Sequence, residues 1–144
     1  MKKWYFKNKK TISLLVVIMW ASVIFIMSLF NSEISSMQSG RIVSFIADLF
    51  NIENIDLLSL IVRKLAHFTE FFILGYLVCN MCKVYDTNIL FGFVFCILYA
   101  FCDEIHQLFI SGRHFAIFDV VIDSLGVFFG NIFYMIGLRL LKRR

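Results

Sequence analysis

Four ionisable residues lie within eight positions of a mostly apolar stretch: Arg63, Lys64, His67 and Glu70. On a helix that turns about 100° per residue, Arg63, His67, Glu70 and Leu74 fall within an arc of about 60° and form one stripe. A histidine beside a carboxylate can act as a general base, and paired acidic and basic groups can bind a charged ligand. The stripe therefore marks a candidate site.

Two further polar sets follow along the chain. The first lies near the end of an apolar run and comprises Asp103, Glu104, His106 and Gln107. The second comes after Arg113, near the start of the next run, and comprises Asp119, Asp123, Gly126 and Gly130. Helical rise puts the acidic groups of all three sets roughly 6 to 12 Å from the same end of their helices. We therefore expect the three sets to converge at one level.

The expected cluster has more acidic than basic groups. Three bases, Arg63, Lys64 and Arg113, face five acids, Glu70, Asp103, Glu104, Asp119 and Asp123, which leaves two excess negative charges if every carboxylate is ionised and the histidines are neutral. Protonated carboxyls, protonated histidines, a bound cation or a cationic group on a ligand would each balance the excess. A solvated vestibule with counterions is the structural alternative.

The composition indicates which elements position these residues. Of 144 residues, 60% are hydrophobic and only 17% are charged, which departs strongly from a soluble domain. Four apolar runs are about long enough to cross a bilayer, at about residues 11–30, 65–82, 89–110 and 115–138. The sequence thus predicts an all-α integral membrane four-helix bundle that forms a single domain over residues 1–144.

The segment between the first two runs has a mixed character. Its Ser-rich part, NSEISSMQSG, suits a loop or a helix start, whereas RIVSFIADLF has apolar residues at helical spacing. The second part predicts a short amphipathic helix on the outer leaflet, or a packing helix over the bundle mouth. The following run, IDLLSLIV, leaves open an earlier start for the second spanning helix.

The distribution of lysine and arginine predicts the orientation. Ten of the fourteen basic residues belong to the N-terminus, the C-terminus and the short loop after the second span. Since cytoplasmic loops are enriched in basic residues, we expect both termini to be cytoplasmic. The net charge of +4 is accounted for by this topology and does not indicate nucleic-acid binding.

Two short patterns have structural interpretations. Gly126 and Gly130 are spaced as GxxxG, which favours close approach of another helix and predicts a packing role. Cys79 and Cys82 form a CxxC, but no second CxxC accompanies them, so we interpret them as buried apolar residues. The sequence contains no firm metal-ligand spacing, and it identifies no cofactor.

The segments RKLAHFTEFFILGYL and CDEIHQLFISGRHFAIFDVVIDSLGVFFG resemble the VanZ-like membrane proteins, over about half the chain. The positions that match the family pattern are Lys64, His67, Glu70, Asp103, Glu104, Gln107, Arg113, Asp119, Gly126 and Gly130. Asp123 departs from the pattern, because the family usually has asparagine there. The resemblance implies a multi-pass protein of the Gram-positive cell membrane associated with low-level resistance to teicoplanin-type lipoglycopeptides.

The leading functional hypothesis is a binding protein of the outer leaflet. The polar cluster would hold the head of an amphiphile, either an envelope lipid or a lipoglycopeptide, with membrane lipids as its surroundings. Arg113 and Lys64 would contact a phosphate or carboxylate, and Asp103 and Glu104 would contact amines or hydroxyls.

Two alternatives remain open. A membrane enzyme acting on a lipid headgroup could use His67 with Glu70, or His106 with Asp103 and Glu104, as base and orienting acid. Against this, the sequence has no nucleophile motif and no phosphate-binding glycine loop. A proton-coupled carrier could use paired acids as a relay, but four spans would need to form a homo-oligomer to enclose a path.

Overall fold

The computed structural model describes residues 2–30 and 32–142, with side chains at 8–30, 37 and 40–141. Within these residues the chain forms five helices and no strand, so the all-α prediction is confirmed. The helices are α1 Lys2–Ser28, α2 Ser32–Phe50, α3 Ile55–Tyr85, α4 Ile89–Gln107 and α5 Ile117–Lys142. Of the basic residues used to predict orientation, Arg143, Arg144 and the side chains of Lys2, Lys3, Lys7 and Lys142 lie outside this description.

Three of the described helices are long and apolar enough to cross a membrane, at Asn8–Ser28, Ile89–Gln107 and Ile117–Leu141. They correspond to the predicted first, third and fourth spans. The remaining predicted span lies within α3, which is 31 residues long and carries the ionisable stripe in its N-terminal half. The sequence IDLLSLIV belongs to this helix, so α3 begins about ten residues before the predicted span.

Helix α3 is the central element of the fold. It packs against each of the other four helices, most extensively against α5. The main apolar core includes Phe71, Leu74 and Val78 of α3 with Val127 of α5 and Ala100 of α4. Asn54 caps the start of α3, because its side chain accepts a hydrogen bond from Leu57 N at 3.0 Å.

Small residues allow the close approach of α3 and α5. A Cβ added to Gly126 would lie 2.5 Å from Phe68 O, and one added to Gly75 would lie 2.6 Å from Val127 O. A Cβ at Gly130 would lie closer still to Phe72 O. The two helices thus meet backbone to backbone, as small residues permit in membrane bundles. The GxxxG pair faces α3 of the same chain.

Helix α2 lies against α3 alone among the described helices. Val43 and Ala47 of α2 are buried with Leu58 of α3, whereas Phe45 and Phe50 are exposed. The helix is therefore amphipathic, as expected for this segment. It is longer than predicted, because the Ser-rich part is helical from Ser32 onward and has no proline to interrupt it.

Candidate functional site

A cavity of about 190 Å³ lies between α1, α2, α3, α4 and the α4–α5 connection. Its polar lining comprises Ser28, Arg63, His67, Glu70, Asp103 and Arg113. Apolar side chains of α1 and α2, including Ile24, Met27 and Ile42, close the remaining walls. Helical spacing of three and four residues places Arg63, His67 and Glu70 on the face of α3 that forms one wall.

The two adjacent acids of α4 are buried and only partly hydrogen-bonded. Asp103 is 5% exposed, and its Oδ2 accepts from Gln107 Nε2 at 3.0 Å. Glu104 is 0% exposed, and its Oε2 accepts from the backbone N–H of Ala116 at 3.0 Å. The other oxygen of each carboxylate is buried and has no hydrogen-bond partner among the described residues. Ser28 lies beside Asp103 without forming a hydrogen bond of normal geometry.

Glu104 therefore holds the α4–α5 connection, whereas Asp103 is directed to the cavity. The hydrogen bond to Ala116 fixes the backbone just before α5 begins. A buried carboxylate oxygen without a donor is costly, because burial removes the water that would otherwise solvate it. Asp103, which lines the cavity, thus keeps one acceptor without a partner among the described residues.

Arg113 supplies positive charge on the same wall. It lies in the connection between α4 and α5 and is half-buried. Burial lowers the pKa of the Arg113 guanidinium, as does the nearby Arg63, whereas Asp103, Glu104 and Glu70 act in the opposite direction. Because arginine stays protonated in proteins, Arg113 remains a cation with five N–H donors.

A second layer of polar contacts joins α3 to α5 beside the cavity. Lys64 forms an ion pair with Asp119, and Lys64 is not among the cavity-lining residues of the described chain. His67 Nδ1 lies 3.7 Å from Asp123 Oδ1, and Asp123 is 0% exposed. Neither oxygen of Asp123 has a hydrogen-bond partner among the described residues.

A model of the VanZ/LLP1 family matches residues 13–140, which is most of the chain. The chain belongs to the VanZ/LLP1 family. The match includes α1 and α2, so the relationship extends beyond the three later helices whose motifs resemble the family. No curated protein and no solved structure matches the chain. Family membership and the three apolar helices together indicate a membrane protein.

The residue at which this VanZ/LLP1 chain departs from the family pattern, Asp123, contacts His67. The usual asparagine is replaced by Asp123, whose carboxylate faces His67. An asparagine could donate a hydrogen bond there, but an ionised aspartate only accepts. The acid nearest His67 is therefore Asp123, where the sequence hypothesis had suggested Glu70.

His106 is arranged differently from the hypothesis that paired it with Asp103 and Glu104. Its ring packs against Phe25 with the ring centroids 4.8 Å apart, and its buried Nδ1 has no hydrogen-bond partner among the described residues. His106 also does not line the described cavity. This arrangement gives His106 no direct access to a ligand in the cavity.

The structure adds residues that sequence reasoning missed. Trp20 of α1 donates its indole N–H to the Glu70 carbonyl at 2.9 Å, which ties the first helix to the cavity wall. Ser28 lines the cavity, and Gly75 lies against Val127 at the α3–α5 contact. The only sequence signal for the Trp20 contact is a tryptophan within an apolar run, because a buried indole N–H needs a hydrogen-bond acceptor.

Metal ligands and thiols are the remaining groups with which the chain could do chemistry. The described residues contain no group of three or more His, Cys, Asp or Glu side chains arranged to hold a metal ion. Cys79, Cys82 and Cys96 are buried free thiols, and Cys102 is exposed. The thiols of the CxxC lie in the other half of α3 from the cavity and pack in the apolar core.

Proposed function

We propose that this protein binds the headgroup of an amphiphile in an intramembrane cavity that opens toward the cell exterior. The observation that carries the proposal is Asp103, a buried carboxylate with one unpartnered oxygen in the lining of a cavity that also contains Arg63, Glu70 and Arg113. Such an atom is satisfied when a ligand brings a hydrogen-bond donor to it. Glu104 and Asp123 also have unpartnered oxygens, but of these three acids only Asp103 lines the described cavity.

The cavity volume selects among the candidate ligands. About 190 Å³ is less than the roughly 300 to 1,000 Å³ typical of pockets for drug-sized molecules. A lipid headgroup, or one polar terminal group, is compatible with this volume, whereas a whole lipoglycopeptide is not. We therefore favour an envelope lipid as the ligand, with its acyl chains among the exposed apolar side chains of the helices.

The anionic group of the ligand is assigned to Arg113 and Arg63. Both line the cavity, and a guanidinium matches a phosphate with two parallel hydrogen bonds. Lys64, the other basic residue of the sequence hypothesis, is already paired with Asp119. It is better placed to join α3 to α5 than to contact a ligand.

We further propose that α3 spans the membrane, which gives four spans with both termini in the cytoplasm of a Gram-positive cell. Ionisable residues are tolerated in a span when they face a bundle interior and pair there. In a Cys102→Ser background, Ser111→Cys should react with a membrane-impermeant maleimide on intact cells. Lys83→Cys should react only after permeabilisation, and the reverse pattern would invert the topology.

The cellular role proposed is a change in the cell surface that lowers sensitivity to teicoplanin-type antibiotics. Glu70→Gln, Asp103→Asn and Arg113→Ala should each abolish the resistance conferred by expression of the protein, measured as the minimal inhibitory concentration. Asp56→Asn, an exposed acid that does not line the described cavity, is the matched control. Retained resistance in all three cavity variants, at equal membrane abundance, would refute the proposal.

An enzyme acting on the headgroup is the second candidate, favoured by His67. This histidine lines the cavity, and Asp123 lies behind it with 3.7 Å between Nδ1 and Oδ1. The two atoms form no hydrogen bond in this structure. A shorter contact on ligand binding would give the base-and-orienting-acid arrangement used in general base catalysis. Mass spectrometry of envelope lipids with and without the protein separates the candidates, because only an enzyme leaves a covalently changed lipid.

A further inference from the structure

We infer that the headgroup bound in this cavity is zwitterionic and carries a primary ammonium together with a phosphate, as in an aminophospholipid. This inference rests on the proposed headgroup site and specifies its ligand class. It depends on the balance of charges lining the cavity, on the buried unpartnered acceptor, and on the arrangement of acids and bases within the lining.

The charges that line the cavity are balanced. Two acids, Glu70 and Asp103, and two bases, Arg63 and Arg113, contribute side chains to the wall. Because these four charges cancel, a ligand of net negative or net positive charge would leave an uncompensated charge in the cavity. A zwitterion matches both halves, because electrostatic complementarity favours opposite charges at each contact.

The acceptor at the cavity wall favours N–H or O–H donors. Asp103 is at least nine-tenths buried, its Oδ2 is occupied by Gln107, and its Oδ1 has no partner among the described residues. A primary ammonium carries three N–H donors and can reach both Asp103 and Glu70. A quaternary ammonium carries positive charge but no N–H, so it would leave Asp103 Oδ1 without a hydrogen bond.

The charged groups of the lining differ in exposure. Asp103 is buried, Glu70 and Arg113 are half-buried, and Arg63 is exposed. The ammonium would therefore occupy the closed part of the cavity, with the phosphate at its more open part beside the arginines. The small volume of about 190 Å³ further disfavours headgroups that carry a sugar or a peptide.

Binding of matched lysophospholipids tests the inference. The full chain carries two tryptophans, so a Trp4→Phe background leaves Trp20, whose indole N–H donates to the Glu70 backbone carbonyl, as the single tryptophan for selective excitation. Lysophosphatidylethanolamine, lysophosphatidylcholine and lysophosphatidylglycerol of one chain length are titrated below their micelle concentrations. We expect the ethanolamine lipid to bind about tenfold more tightly than each of the others, since hydrogen bonds to charged groups are strong.

Variants assign the preference to residues. Asp103→Asn should bring the ethanolamine-to-choline ratio close to one, whereas Arg113→Gln should weaken both lipids alike and leave the ratio unchanged. Asp56→Asn is the control and should leave both the affinities and the ratio unchanged. The ethanolamine-to-choline affinity ratio of the protein with Asp103 unchanged is a test in its own right. It can be measured even if a cavity variant does not fold.

The outcomes separate the two levels of the proposal. Equal binding of the three lipids would overturn the ammonium assignment and leave the headgroup site standing. Absence of saturable binding by any of them would overturn the proposed function as well. Displacement of the ethanolamine lipid by free phosphoethanolamine, but not by phosphocholine, would support the assignment without any contribution from the acyl chain.

Discussion

The two halves of α3 differ in the partners of their buried groups. From Phe71 onward the buried residues are apolar and pack in a continuous core with α1, α4 and α5. From Arg63 to Glu70 the same helix presents ionisable groups to a cavity and to buried acids with unpartnered oxygens. The apolar half therefore stabilises the fold by packing, whereas the polar half faces buried oxygens without partners among the described residues, which costs stability.

The largest expected effect lies at the backbone contact between α3 and α5. Gly130→Ala would place a Cβ against the backbone of Phe72, which has no side-chain freedom with which to yield. We expect destabilisation of more than about 3 kcal/mol, or no folded protein. Gly137→Ala is the matched control, because no described atom lies within 4 Å of an added Cβ there. Size exclusion and thermal unfolding in detergent measure both.

A smaller loss of stability is expected at Glu104, which holds the α4–α5 connection. Glu104→Leu removes the acceptor for the Ala116 N–H and should cost about 2 kcal/mol, because a buried donor loses its partner. Glu104→Gln keeps an acceptor oxygen and should retain most of the stability. If the leucine variant were as stable as wild type in unfolding experiments, Glu104 would belong with the ligand-directed groups instead.

Trp20 of α1 is hydrogen-bonded to α3 at Glu70, where the polar half of α3 meets its apolar half. Trp20→Phe keeps an aromatic side chain, although a smaller one, and removes the donor to the Glu70 carbonyl, so we expect a loss of at least about 1 kcal/mol. Tyr85→Phe removes the hydroxyl that donates to the Lys10 carbonyl at 3.2 Å in an exposed setting, and this should cost less. Thermal unfolding of the two variants side by side tests the ranking, which equal losses would contradict.

The smallest effect is expected for the ion pair between Lys64 and Asp119. The Lys64 side chain is 27% exposed, and ion pairs with access to water contribute little. A double-mutant cycle with Lys64→Gln and Asp119→Asn should give a coupling free energy below about 1 kcal/mol. A much larger coupling would show that this pair stabilises the polar half as strongly as packing stabilises the apolar half.

Much of the architecture was predictable from helical periodicity and hydropathy. The segments predicted as the first, third and fourth spans lie in helices, because long apolar runs have few other stable states in a membrane. Helix α1 begins at Lys2, nine residues before the predicted span. The sequence does not fix the start of α3, because IDLLSLIV can either precede the second span or extend it. The Ser-rich segment was ambiguous for a similar reason, because polar residues without proline are compatible with both a loop and a helix.

The partners of individual polar side chains were less predictable. Helical spacing put His67 and Glu70 on one stripe, and the structure does place both at one cavity. Helical spacing within α3 could not indicate that Asp123, from another helix, would be the acid facing His67. A difference of one residue in the relative register of α3 and α5 would change that pairing while leaving each helix and its stripe intact.

The sequence by itself determined the helices, their apolar character and the side of each helix that carries charge, because these follow from residue order and the 3.6-residue period. Only the tertiary structure decided which partner each polar side chain has and which side chains line the cavity. Glu104 accepts from the Ala116 backbone, Lys64 is paired with Asp119, and Asp103 lines the cavity. Those distinctions depend on how closely α3, α4 and α5 approach one another, which the packing of several chain segments sets jointly.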